Sequence, residues 1–318
     1  MLKKIALEEH FLSPGLIDDW LPTVAELDPD KADGLFRKLT DFGEARLAAM
    51  DAAGIERAVL SISGPGVQAE PVIATAIKKA RESNDFLARE IQNKPDRYLG
   101  FAHLAMQDPA AAADELERCM RELGFCGAMI NGHTNGQYLD EPKFEPFWER
   151  AAALEAPIYL HPADPIVPAP VLAGHNVLRR ATWEWGFETG SHALRLVFGG
   201  VFDRFPKAQL ILGHLGETLP YLLWRFYSRA GPGFYRANLA KPPSQYIKDN
   251  ILVTTSGMCS AEPLYCAIAA LGPDRVMFSA DHPFESIETA GHFMETVRLD
   301  ENTRANIAYR NAERVLAL

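Results

Sequence analysis

Glu8 and His10 stand two residues apart in the run Lys4-Ile5-Ala6-Leu7-Glu8-Glu9-His10 near the start of the chain. On an extended strand that spacing puts both side chains on one face and turns Glu9 to the other, toward helices or solvent. Further on, His161, His214 and Asp281 each close a short apolar run of their own. Imidazoles mixed with two carboxylates make a nitrogen and oxygen donor set suited to one Zn²⁺ or Mn²⁺ ion. Other run ends carry Ser61 with Ser63, His103, Asn131 with His133, Thr255 with Ser256, and His282. A buried polar group costs free energy unless it is paired. One such histidine is ordinarily a satisfied core residue; polar ends on nearly every run point to a shared site, either a metal centre or a metal-free hydrogen-bonded cluster.

The runs that must position these groups are short and β-branched, and each leads into a stretch of helical periodicity. They span Lys4–His10, Arg57–Ile62, Tyr98–Leu104, Gly127–His133, Pro157–Pro162, Gln209–His214, Ile251–Gly257 and Val276–Asp281. The intervening helices are predicted at Phe42–Ala53, Val72–Asn93, Pro109–Gly124, Lys143–Glu155, Thr189–Phe205, Thr218–Arg229, Ala261–Leu271 and Glu285–Val297, with Glu301–Ala317 closing the chain. Alternating strands and helices imply parallel strands joined by right-handed crossovers. Eight such units form an α/β fold of the (β/α)₈ TIM-barrel type, in which chemistry sits at the C-terminal ends of the strands; an open doubly wound sheet is the alternative. No linker divides the chain, so residues 1–318 read as one domain. Three long connections, Leu12–Leu39, Ala163–Trp185 and Gly231–Ser244, are expected to extend over the C-terminal face.

Composition sets the limits. With 47% hydrophobic and 23% charged residues, the 318-residue chain is neither disordered nor fibrous. A net charge of −10 argues against nucleic acid or an anionic membrane as partner, while leaving room for a small anion drawn to a local cation. No apolar run approaches the roughly 20 residues of a membrane span, and the acidic pair near the N-terminus breaks any signal-peptide core. A cytoplasmic protein is expected. The cysteines, Cys119, Cys126, Cys259 and Cys266, form no C-x-x-C, so neither a zinc ribbon nor a dithiol motif is present.

Longer stretches carry a resemblance. They include Ala6-Leu7-Glu8-Glu9-His10-Phe11, Met50-Asp51-Ala52-Ala53-Gly54-Ile55 and Tyr159-Leu160-His161-Pro162. Leu212-Gly213-His214-Leu215-Gly216-Glu217 follows, with Trp224-Arg225, Thr254-Thr255-Ser256-Gly257 and Phe278-Ser279-Ala280-Asp281-His282-Pro283-Phe284-Glu285. Together they resemble the amidohydrolase superfamily, and within it the metal-dependent, non-oxidative hydroxybenzoate decarboxylases, related to the aminocarboxymuconate semialdehyde decarboxylase branch.

The resemblance implies that Glu8, His10, His161 and Asp281 hold one divalent ion, with no organic cofactor. It implies a carbon–carbon lyase acting on a small aromatic carboxylic acid: 2,6-dihydroxybenzoate, 2,3-dihydroxybenzoate or salicylate. Hydrolytic relatives usually open with His-x-His, so Glu8 favours decarboxylation; a metal-dependent lactone or ester hydrolase is the alternative. Asp281 is expected to protonate the ring carbon, with His214 and Glu217 as a proton relay, although a first-turn carboxylate also suits a helix dipole. Arg225 matches a family arginine near the substrate. Phe11, Trp183, Phe187 and Phe284 are candidates to clamp the ring, and Asn131 and Thr255 to bond its hydroxyls. His282 and His103 depart from the best-known relatives, so an extra ring substituent is expected there, with a share in proton delivery open to His282. A homodimer or homotetramer is also implied.

Overall fold

The computed structural model describes residues 1–230 and 238–318. Of the expected connection Gly231–Ser244, residues 231–237 lie outside the described residues. Eight parallel strands occur among the described residues: β1 (Lys4–Phe11), β2 (Ile55–Ile62), β3 (Tyr98–Gly100), β4 (Ala128–Asn131), β5 (Pro157–His161), β6 (Gln209–Leu212), β7 (Ile251–Thr254) and β8 (Val276–Met277). Hydrogen-bonded ladders join β1 to β3 and β4 to β8. Two seams close the cylinder. Ala102 N–H donates to the Gly127 carbonyl (2.8 Å) between β3 and β4, and His10 N–H donates to the His282 carbonyl (2.7 Å) between β8 and β1. The expected (β/α)₈ barrel is therefore the observed architecture.

One crossover helix follows each strand: α1 (Glu44–Ala53), α2 (Ile73–Asn93), α3 (Pro109–Arg121), α4 (Glu145–Ala153), α5 (Glu184–Phe198), α6 (Leu219–Ala230), α7 (Ala261–Leu271) and α8 (Ile287–Thr296). Alternation along the strands separates two apolar layers. Ile5, Leu7, Val59, Phe101, Met129, Tyr159, Ile211, Leu252 and Met277 fill the cylinder. Ala6, Phe11, Ala58, Leu60, Ile158, Leu160, Val253 and Val276 face the helices. Parallel strands covered on both faces need apolar residues at both parities, which is why their runs are nearly unbroken.

β1 breaks this parity once. Its register against β2 shifts between Ala6 and Glu9, where three steps on β1 oppose two on β2 (Ala6 opposite Ala58, Glu9 opposite Leu60). Such a bulge re-aims side chains. Ile5 and Leu7 point inward, and after the bulge Glu8 and His10 do too, while Glu9 and Phe11 turn out.

Three differences from the sequence expectation concern helices. The helix expected at Thr189–Phe205 begins earlier, at Glu184, and breaks at Gly200, whose φ of 70° is left-handed; a short turn, Val201–Arg204, follows. The connection Leu12–Leu39 contains its own helix, Pro29–Leu39, capped by Asp28, which accepts from Asp30 N–H at 3.0 Å. The closing segment contains helices Glu301–Ala305 and Asn311–Val315 with a π-turn at Asn306–Arg310 between them. Among the described residues no helix is long and apolar enough to cross a membrane.

Candidate active site

At the C-terminal mouth, Glu8, His10, His161 and Asp281 each offer one ligand atom, and these atoms lie within 4.8 Å of one another. His161 Nε2 is 3.5 Å from Glu8 Oε1, and His10 Nε2 is 3.4 Å from Asp281 Oδ1. Each donor is oriented from behind. His161 Nδ1–H donates to its neighbour's carbonyl at Pro162 (2.8 Å), which leaves Nε2 with its lone pair toward the cluster. His10 Nδ1 faces Ser61 Oγ at 3.3 Å, and the buried Arg46 guanidinium donates to the His10 carbonyl at 2.7 Å. Glu8 N–H donates to Ser279 Oγ at 2.6 Å, tying β1 to the segment after β8 that carries Asp281.

The residues fit a divalent cation. Glu8 Oε1 and His10 Nε2 are fully buried and have no hydrogen-bond partner, a costly state unless something else binds them. Burial, then the adjacent His10 imidazole, pushes His161 down to about 3, so it is a neutral ligand. The two carboxylates carry the charge that balances one M²⁺.

Asp281 sits between this cluster and a second pair. Its Oδ2 is 3.9 Å from His214 Nε2, and His214 Nδ1 is 2.6 Å from Glu217 Oε1. Burial opposes the charged imidazole, yet the Glu217 and Asp281 carboxylates outweigh it and hold His214 well above the ordinary histidine value. For Asp281, burial works upward, and the adjacent His10 and His214 imidazoles overcome it, so its pKa lies below the ordinary range. The backbone here is strained: Asp281 (φ 73°), His214 (φ 50°) and Glu217 (φ 51°) are all left-handed. Such conformations cost about 1–3 kcal/mol each and persist only where surrounding contacts impose them, as function commonly requires.

The site opens into a cavity of about 1230 Å³. His161, His214, Glu217 and Asp281 line its floor, and Asn131, Trp183, Phe187 and Phe284 stand in its wall. Phe284 meets the His10 ring at 5.6 Å. Asn131 is 1% exposed, and neither of its amide atoms has a partner, so both are open to a ligand.

Five expected substrate contacts do not line the cavity of the single chain, four of them by strand or helix placement. Phe11 follows inward-facing His10 and therefore points outward, packing on Phe42 (5.7 Å) in the helix layer. Thr255 is one residue out of phase with inward-facing positions; its hydroxyl donates to the Ser279 carbonyl at 3.0 Å and is spent on the β7–β8 connection. His282, next to Asp281, turns away from the cavity toward Arg46, and burial first, then that cation, holds it down to about 3. Arg225 is exposed on α6 and is not in the cavity wall of the single chain. The fifth, His103, is buried beneath the 63–69 loop, where its Nε2 accepts from Val67 N–H at 2.9 Å. Burial holds it neutral, down to about 3. Gly66 makes room for it, since a Cβ there would lie 2.4 Å from the imidazole.

The sequence reading gave no role to Tyr159, Ser279 or Arg46, and noted Ser61 only as a polar run end. Tyr159 had a signal: it precedes His161 by two residues on β5, one layer deeper on the same inward face.

This barrel with a mononuclear-type donor cluster at its mouth defines a metal-dependent amidohydrolase fold, and the amidohydrolase family profile matches residues 13–318. The chain belongs to that family. It is 41% identical over 329 aligned residues to the gamma-resorcylate decarboxylase of Rhizobium sp. (strain MTP-10005), covering 100% of this chain and 99% of the relative. Among solved structures it is similar to a 2,6-dihydroxybenzoate decarboxylase complexed with 2,6-dihydroxybenzoate (TM-score 0.93, 40% identity, 100% of both chains). It is equally similar to a dihydroxybenzoic acid decarboxylase from Polaromonas sp. JS666 with bound manganese and 2-nitroresorcinol (TM-score 0.93, 40% identity, 100% of this chain and 98% of that one).

Proposed function

We propose that this protein is a non-oxidative decarboxylase of an ortho-hydroxybenzoic acid, 2,6-dihydroxybenzoate first, working with one Mn²⁺ held by Glu8, His10, His161 and Asp281. One observation carries the reading: Asp281 is both a member of the four-donor cluster and the neighbour of His214, which is paired with Glu217. An ion held by these residues would supply the positive charge that attracts an anionic ortho-hydroxy acid. The remaining work belongs to side chains.

Losing CO₂ directly would leave an aryl anion. Protonating the ring carbon that bears the carboxylate avoids it: a C–H bond forms, the C–CO₂ bond breaks, and its electron pair restores the aromatic ring. His214, charged beside Glu217, stores the proton, and Asp281 passes it to the ring carbon. Asn131 offers both a donor and an acceptor to a ring hydroxyl, while Phe284, Trp183 and Phe187 flank the ring and exclude water.

The test is a panel of hydroxylated benzoates and lactones offered to manganese-loaded protein, with CO₂ release and base uptake followed separately. CO₂ from 2,6-dihydroxybenzoate and related ortho-hydroxy acids, with lactones untouched, is the expected result. Hydrolysis of lactones without CO₂ from any benzoate would replace this reading with the hydrolase one.

A homo-oligomer is part of the proposal. Tyr221 is 80% and Trp224 73% exposed on α6, flanking the cavity mouth and Arg225. Aromatic side chains so open suit a self-complementary contact between copies. Light scattering on the purified protein should give a dimer or tetramer mass; a monomer at micromolar concentration would remove this element.

A further inference from the structure

Glu8 is an anionic ligand with two oxygens, and a mononuclear site that must also admit a chelating substrate needs only one of them. Oε1 points to the donor cluster, 3.5 Å from His161 Nε2, and has no protein partner. Oε2 accepts a hydrogen bond from the Tyr159 hydroxyl. That hydroxyl also lies 2.7 Å from Thr254 Oγ1 on β7, so it is held from a second side. Tyr159 is fully buried, and its ring packs on Phe101 with centroids 6.0 Å apart, which leaves the hydroxyl little freedom of direction. Gly213 completes the arrangement, because a Cβ there would come within 2.8 Å of Glu8 Oε2 and 3.2 Å of the Tyr159 oxygen.

We propose that Tyr159 is a positioning residue that makes Glu8 a one-oxygen ligand. By occupying Oε2 it aims Oε1 at the cation and keeps a coordination position free for the substrate. The inference rests on the metal reading of the cluster above. Partners behind a ligand commonly change metal affinity about 10–100-fold when removed.

The experiment measures Mn²⁺ affinity of the stripped full-length protein by competition with a fluorescent chelator, for wild type, Tyr159→Phe, Thr254→Val and Glu8→Gln. Tyr159→Phe retains the ring and its packing, and should weaken Mn²⁺ by roughly 10–100-fold. The manganese-induced rise in Tm should shrink with it, a change that lost packing alone would not produce. Thr254→Val should move affinity in the same direction by less, and carries the test if Tyr159→Phe does not fold. Affinity within about twofold of wild type, against the 10–100-fold expectation, in whichever of these variants folds would overturn the role of Tyr159. Equal affinity of wild type and Glu8→Gln would instead overturn the ligand set itself, so the two failures are told apart.

Discussion

Replacing Asp281 with Asn should abolish CO₂ release while leaving the barrel folded. Asparagine keeps the shape and size of the side chain, so the left-handed backbone at this position and the Glu285 N–H bond to its carbonyl (3.0 Å) are retained. Asparagine tolerates that backbone region well. What disappears is the group that accepts a proton from His214, 3.9 Å away, and hands it on. A general acid is worth about 10²–10⁴-fold in rate, and the lost negative charge also weakens the cation. Turnover should fall by at least that range at saturating Mn²⁺, with far-UV circular dichroism unchanged. Turnover within about tenfold of wild type, well short of the 10²–10⁴ range, would dismiss Asp281 as the acid.

The second large effect is on the ion. Glu8→Ala should lose most of its manganese after dialysis, read by elemental analysis, and with it the decarboxylase activity. The alanine removes one of two carboxylates from a set of four donors and takes from the buried Tyr159 hydroxyl its Oε2 acceptor. Adding Mn²⁺ in excess should rescue wild type stripped by a chelator but not this variant. Metal content equal to wild type would take Glu8 out of the ligand set.

Much of this site was legible in the chain itself. Parallel strands in a closed barrel announce themselves as apolar runs, and the residue that ends each run lies at the mouth whatever the loops do, so His161, His214 and Asp281 could be brought together on paper. Asn131 was legible for the same reason. The His214–Glu217 pair was visible from its spacing, and the structure sets it at 2.6 Å.

The rest depended on which way each side chain turns. Glu8 and His10 share a face by spacing, but Ile5 and Leu7 have the opposite parity, and both pairs point inward only because β1 bulges between them. Nothing local marks that bulge; it is imposed by pairing with β2. The same parity took Phe11, Thr255 and His282 out of the pocket, each one residue from an inward position. Arg225 lies on a helix whose contacts with other copies a single chain does not contain.

Residue type and spacing were thus enough for the barrel and for a convergence of polar side chains at its mouth, because strand ends converge by closure alone; the particular set Glu8, His10, His161 and Asp281 came from the family resemblance. Tertiary structure decided the hydrogen bond from Tyr159 to Glu8, the burial that holds His103 and His282 down, and the pair of carboxylates that holds His214 up. Those are properties of the field and contacts around a side chain, and they exist only once distant strands surround it.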